Sequence, residues 1–222
     1  MTMLGLKKFL FKGGAANLSV EMQAAVEDWR KRPSPDLDDL HFHMRYVVID
    51  ITTSGMKPDS DRLLSIAATT VQQGIIMPDD ASFIDLTETG EALAAVDQQL
   101  LGFLQFSSKA PLVTYHVPYV GGFLQHAFRE RLGIDFQPQW VDLAWLLPSM
   151  FEEKSSSIMP LDQWIEAVGF DTGVGRRSAM DNTLLLTRLF QMLLVRSAGK
   201  SIDTAAQLVE ESLASSHLRR SH

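Results

Sequence analysis

The sequence predicts an α/β domain, a mixed sheet of about five strands flanked by helices. Three observations carry this expectation. Tyr46–Ile49 is an apolar, β-branched run ending in Asp50, Thr52, Thr53 and Gly55, as a buried strand with a polar end would. Residues 63–86 are mostly apolar and broken at Gly74, so short turns there imply an antiparallel edge. Beyond them, apolar residues at helical spacing alternate with short strand-like runs as far as Leu194.

The elements follow in order. Residues 1–44 form a helical arm and linker ahead of the first strand. Leu4, Leu6, Phe9 and Leu10, with Lys7, Lys8 and Lys12, predict a short basic amphipathic helix broken at Gly13-Gly14. Ser19 is the expected N-cap of a helix to Arg30 with Met22, Val26 and Trp29 on one face. Pro33-Ser-Pro35 and Asp36–Asp39 read as linker, and His41 and His43 as surface histidines without a third ligand.

The core domain spans residues 45–198. Strands are expected at Tyr46–Ile49, Leu63–Val71, Ile75–Met77, Ser82–Leu86, Pro111–His116 and Gln139–Ala144. Helices are expected at Glu88–Phe106, Gly121–Leu132, from Trp145, at Leu161–Gly169, and from the 175–183 region through Leu194. Residues 199–222 add a helix over 201–216, with Ile202, Ala205, Leu208, Val209 and Leu213 on its apolar side, and a frayed basic tail from His217.

The chain has 222 residues, 45% of them hydrophobic, and a net charge of −7, so it buries a real core and does not advertise a polyanion-binding surface. It lacks cysteine, which excludes disulfides and thiolate metal sites. No apolar run reaches bilayer length, and Met3–Lys12 lacks the features of a signal peptide, so the expectation is cytoplasmic.

Alternation along the first strand puts Asp50 and Thr52 on one face at its C-terminal end, where open α/β sheets place ligand crevices. This stretch, Asp50-Ile51-Thr52-Thr53-Ser54-Gly55, resembles the first motif of the DnaQ-like (DEDDh) 3'-5' exonucleases, the proofreading-subunit and ribonuclease T family, usually D-x-E-T-T-G. Aligned on Phe123-Leu124, the family's second motif falls on Tyr115, His116, Tyr119 and Val120. Aligned on Leu189-Phe190, its third falls on Arg177 and Asn182.

The resemblance implies a ribonuclease H-like fold and, for the family, phosphodiester hydrolysis by two metal ions held on four carboxylates with a histidine base. In this chain those positions read Asp50, Thr52, Val120, Arg177 and Asn182, leaving one carboxylate and an arginine that cannot accept a proton. Asp181 matches the family's non-ligating acidic position; Asp59, His116 and Asp181 are candidates for a rebuilt site, though none sits at a matching ligand position.

The leading expectation is therefore a catalytically degenerate exonuclease-like domain that binds single-stranded nucleic acid, a nucleotide or a protein. Asp50, Thr52, Tyr115, His116, Tyr119, Arg176 and Arg177 line the site and no cofactor is required. The alternatives are an active nuclease with a rearranged Mg or Mn site on Asp50, and an interaction scaffold docking through its basic arm. Homodimers, which the resemblance admits, remain open. The simplest occupant of the old site is an Arg177–Asp50 ion pair.

Overall fold

The computed structural model describes residues 18–87, 93–171 and 177–220. The arm at residues 4–12 and Arg176 lie outside them.

Nine residues, Arg45–Thr53, form the central strand β1. It pairs antiparallel with β2 (Leu63–Gln72), which pairs antiparallel with β3 (Ile75–Asp85). On its other side β1 pairs parallel with β4 (Leu112–Thr114), and β4 with β5 (Trp140–Asp142). The result is the expected mixed five-stranded sheet, in the order β3-β2-β1-β4-β5.

Helices cover both faces: α1 (Val20–Lys31), α2 (Leu93–Ser107), α3 (Val117–Leu132), α4 (Leu143–Met150), α5 (Leu161–Ala167), α6 (Ala179–Ala198) and α7 (Ala205–Arg220). Strand alternation divides the apolar interior in two. Val47, Ile49 and Ile51 of β1 pack with Val26 and Trp29 of α1, Phe103 of α2, and Phe123 and Phe128 of α3. Tyr46 and Val48 pack on the other face with Leu146 of α4, Trp164 of α5, Leu186 and Phe190 of α6, and Leu208 of α7. Asp50 and Thr52 share the parity of Tyr46 and Val48, so they look towards α6.

Several boundaries differ from expectation, each for a local reason. The two short strands expected over residues 75–86 are one strand, because Pro78-Asp-Asp80 bulges out of the ladder between the Thr69↔Ala81 and Thr70↔Met77 pairs. Asp80 is tied there by Arg45 at 3.1 Å and Thr70 at 2.8 Å. Helix α3 begins at Val117, ahead of Gly121, because Pro118 suits a first turn and Asp142 satisfies the leading N–H groups.

Ile202 belongs to the loop before α7, and residues 217–220, expected to fray, continue the helix. His41 is half-buried and clamped between the Tyr46 hydroxyl, 2.6 Å away, and the Ile202 carbonyl at 3.1 Å; burial lowers its pKa. His43 turns instead to Asp39, so the two histidines share nothing. Among the described residues no helix is long and apolar enough to cross a membrane.

Candidate functional site

The crevice forms where the parallel strands end. Asp50 leaves β1 half-buried, and one of its carboxylate oxygens accepts from the amide nitrogen of Asn182 at 3.1 Å. The Asn182 amide oxygen accepts from Arg177 Nε at 2.8 Å. Arg177 reaches on to the exposed carboxylate of Asp162 on α5. A relay Asp50–Asn182–Arg177–Asp162 therefore stands where the sequence suggested a direct Arg177–Asp50 pair. The reason is geometric: Asn182 lies in the first turn of α6, directly opposite Asp50, while Arg177 lies one residue before the helix cap.

Burial raises the pKa of Asp50, opposed by the hydrogen bonds from Asn182 and the Ile51 N–H and by the field of Arg177. Arg177 acts on Asp50 through this field, without a hydrogen bond to it.

The other positions separate. Val120 is only 1% exposed and belongs to the core around Ile49, Ile51, Phe123 and Leu124, so it offers no donor atom. Thr52 keeps Asp50's face of β1. Tyr119 leans to the opposite side, its hydroxyl 2.5 Å from Thr53 Oγ1 and its ring edge-on to Phe123. Tyr115 donates to the Met159 carbonyl, and burial raises the pKa of its phenol. His116 is exposed at the N-cap of α3. Asp181 is turned into a capping box, where its Oδ2 accepts from the Ser178 N–H at 2.9 Å and hydroxyl at 2.8 Å.

Two participants were not singled out from the sequence. Asp162 carried no signal beyond its place in a short helix. Asp142 did carry one: like Asp50, it is a carboxylate ending an apolar strand. It is 4% exposed and accepts from the His116 and Val117 N–H groups at 2.8 Å each and from Ala144 at 3.0 Å. Burial raises its pKa against those three bonds. Asp142 thereby caps α4 and holds His116 at φ 68°, a left-handed conformation uncommon outside glycine. This turn aims His116 outward.

The loop after β1 is equally fixed. Ser54 pairs with Arg62 through its N–H at 2.9 Å and its hydroxyl at 2.8 Å, and Asp61 accepts from the Lys57 N–H at 2.8 Å. A Cβ on Gly55 would come within 2.4 Å of the Asp61 carboxylate, so any larger residue there must push that side chain off the Lys57 N–H. The loop presents Met56, 75% exposed, to solvent.

A pair of catalytic metal ions does not fit these residues. Asp50 is the one carboxylate at the matching positions, Asn182 turns its N–H₂ rather than its oxygen towards it, and Val120 has nothing to coordinate with. Among the described residues no three histidine, aspartate or glutamate side chains group closely enough to hold a metal ion.

No family model matches the chain. Two curated relatives, DNA polymerase III of PolC type from Thermotoga petrophila and Thermotoga maritima, are each 22% identical over 160 residues, covering 65% of this chain. The chain spans 11% of their length. Solved structures of E. coli exonuclease I superpose more broadly. Its complex with a dA16 oligonucleotide gives a TM-score of 0.55 at 14% identity, covering 70% of this chain and 42% of that one. Its complex with SSB-Ct gives 0.55 at 14%, covering 76% and 43%. With the strand order, the placement of Asp50 and the helix arrangement around it, these likenesses establish that the chain has the DnaQ-like (DEDDh) exonuclease-like fold.

Proposed function

We propose that this chain is a non-hydrolysing exonuclease-fold domain that binds single-stranded nucleic acid in the crevice at the end of β1. One observation carries the non-hydrolytic half: the remaining carboxylate, Asp50, is bound to the Asn182 amide, itself held by Arg177. A hydrolytic site would need that carboxylate free for a metal ion and a base near the attacking water. Arginine at position 177 supplies neither.

The binding half is supported by the fold shared with exonuclease I, solved with dA16, and by the groups left at the mouth. Exposed Met56 and His116 offer surfaces for bases to stack against, and Thr52 a hydroxyl. With a net charge of −7, affinity would be modest and would fall with salt.

The test pairs a nuclease assay with a binding assay on labelled single-stranded DNA and RNA, in magnesium or manganese, for the wild type and Asp50→Ala. The expected result is no hydrolysis attributable to the protein, together with strand binding that weakens as salt rises. Hydrolysis that disappears in Asp50→Ala would establish an active nuclease with a rearranged site. Silence in both assays would remove the nucleic-acid reading and leave a protein partner, as in the SSB-Ct complex of exonuclease I.

A further inference from the structure

One recess among the described residues lies away from the crevice. It lies at the opposite end of the sheet, where β4 and β5 begin, under the C-terminal turn of α1 and the Pro33-Ser-Pro35 linker. Its volume is about 490 Å³, within the usual range for small-molecule sites. The floor is apolar: Trp29, Ile134 and Phe136 are 7%, 2% and 5% exposed, and Pro138 closes one side.

Charge is distributed unevenly around this floor. The Trp29 indole N–H donates to the Ser108 carbonyl at 2.9 Å, which fixes the ring, and Lys109 Nζ lies over its face, 3.3 Å from the centroid. Arg30 is paired with Glu27 at 2.5 Å and bonds the Gly133 carbonyl at 3.1 Å. Asp135, on the far rim, is taken by Arg129 at 3.3 Å and by Gln125 and Gln137. Lys109 has no carboxylate partner among the described residues. Burial, and then the like charge of Arg30, lower its pKa, as expected of an ammonium short of a counter-ion.

The recess thus holds one uncompensated positive charge above an apolar floor. We propose that it binds an organic monoanion, a carboxylate carried on an apolar body. The carboxylate would take a charge-assisted hydrogen bond from Lys109 while the body covers Phe136 and Ile134. A polyanion fits poorly, because the recess continues past Lys109 into a groove lined by Asp36 and Asp39. The same chemistry is presented by a free apolar acid and by the C-terminus of a polypeptide ending in an aliphatic residue. This proposal does not depend on the crevice binding a strand.

The test is calorimetric titration of the full chain with N-acetyl-leucine, its uncharged counterpart N-acetyl-leucinamide, and a short peptide ending in leucine with a free carboxylate. The expected result is binding of the acid and at least about tenfold weaker binding of the amide. Lys109→Met, which removes the charge but keeps an unbranched apolar side chain, should lose a similar factor, and Lys109→Arg should retain binding. Tighter binding of the peptide than of the free acid identifies a polypeptide terminus as the source; equal or weaker binding identifies a small acid. Equal affinity for acid and amide, an unchanged Lys109→Met, or no binding of any probe at millimolar concentration overturns the proposal. Single-strand binding by Lys109→Met should match wild type, which keeps this outcome separate from that of the crevice.

Discussion

Asn182 Nδ2 donates to the Asp50 carboxylate at 3.1 Å, with the side-chain oxygen of the same amide facing Arg177. The amide can take only this orientation: a carboxylate accepts and a guanidinium donates, so nitrogen must face Asp50 and oxygen Arg177. A neutral residue thereby connects an anion to a cation and fills the space between β1 and α6.

Removing that connection should destabilise the fold. Asn182→Ala leaves a half-buried carboxylate without its side-chain donor and Arg177 without one acceptor, for an expected cost of about 1–3 kcal/mol in urea unfolding at neutral pH. Asn182→Asp should cost more, since it sets a second carboxylate against Asp50. A fully neutral Asn182→Ala would mean that the relay contributes no stability.

The same carboxylate gives a pH signature of defined sign. Burial, the dominant influence on Asp50, raises its pKa, so the native state holds this proton to higher pH than the unfolded chain does. Asp50's contribution to stability therefore falls as pH rises from the ordinary aspartate value through the raised one. Asp50→Asn removes this titration. The stability of wild type minus that of Asp50→Asn should accordingly increase as the solution is taken from about pH 7 down to about pH 4. A difference that shrinks on acidification would show that Asp50 is stabilised as an anion.

How much of this was legible in the sequence follows from what each signal encodes. Strand β1 and Asp50 were evident because a β-branched run ending in a carboxylate constrains both a strand and its direction. The expected N-cap at Ser19 was also correct; its hydroxyl accepts from the Met22 N–H at 3.2 Å. The Asp50–Asn182 contact joins residues 132 apart, and the resemblance alone brought those positions together. Asp162 could not be placed, because its role depends on how α5 lies against Arg177. Asp142 could have been found by the criterion applied to Asp50, and its role as the shared cap of α3 and α4 then followed from strand order. Val120 was read as a lost ligand, whereas its packing makes it equally a core residue.

Gly55 and Gly102 should respond oppositely to the same substitution. A Cβ on Gly55 would collide with the Asp61 carboxylate that holds the Lys57 N–H, so Gly55→Ala should turn that carboxylate away and loosen the loop carrying Met56. The expected cost is about 1–3 kcal/mol, with a parallel loss of strand affinity if the crevice binds strands. Gly102 lies in α2 with nothing within 4 Å of its would-be Cβ. Gly102→Ala should stabilise by about 0.5–1 kcal/mol through helix propensity. Equal effects at both positions would show that the loop yields without cost.

Installing the ligands that the DnaQ-like exonucleases carry at these positions tests the proposed non-hydrolytic site most directly. Thr52→Glu, Arg177→His and Asn182→Asp together would restore two carboxylates and the base beside Asp50; adding Val120→Asp completes the set at the cost of a charge in the core. Without metal, the triple variant should melt below wild type, because its clustered carboxylates repel one another. With manganese at a hundredfold excess over its dissociation constant, linkage predicts about 2.7 kcal/mol of added stability, or a rise of about 5–10 °C for a chain of this size. The wild type should show no such rise, since its Asp50 already faces the Asn182 amide. A wild-type rise in melting temperature that Asp50→Ala abolishes would mean that Asn182 gives way to the ion, and the site would then be a metal site after all.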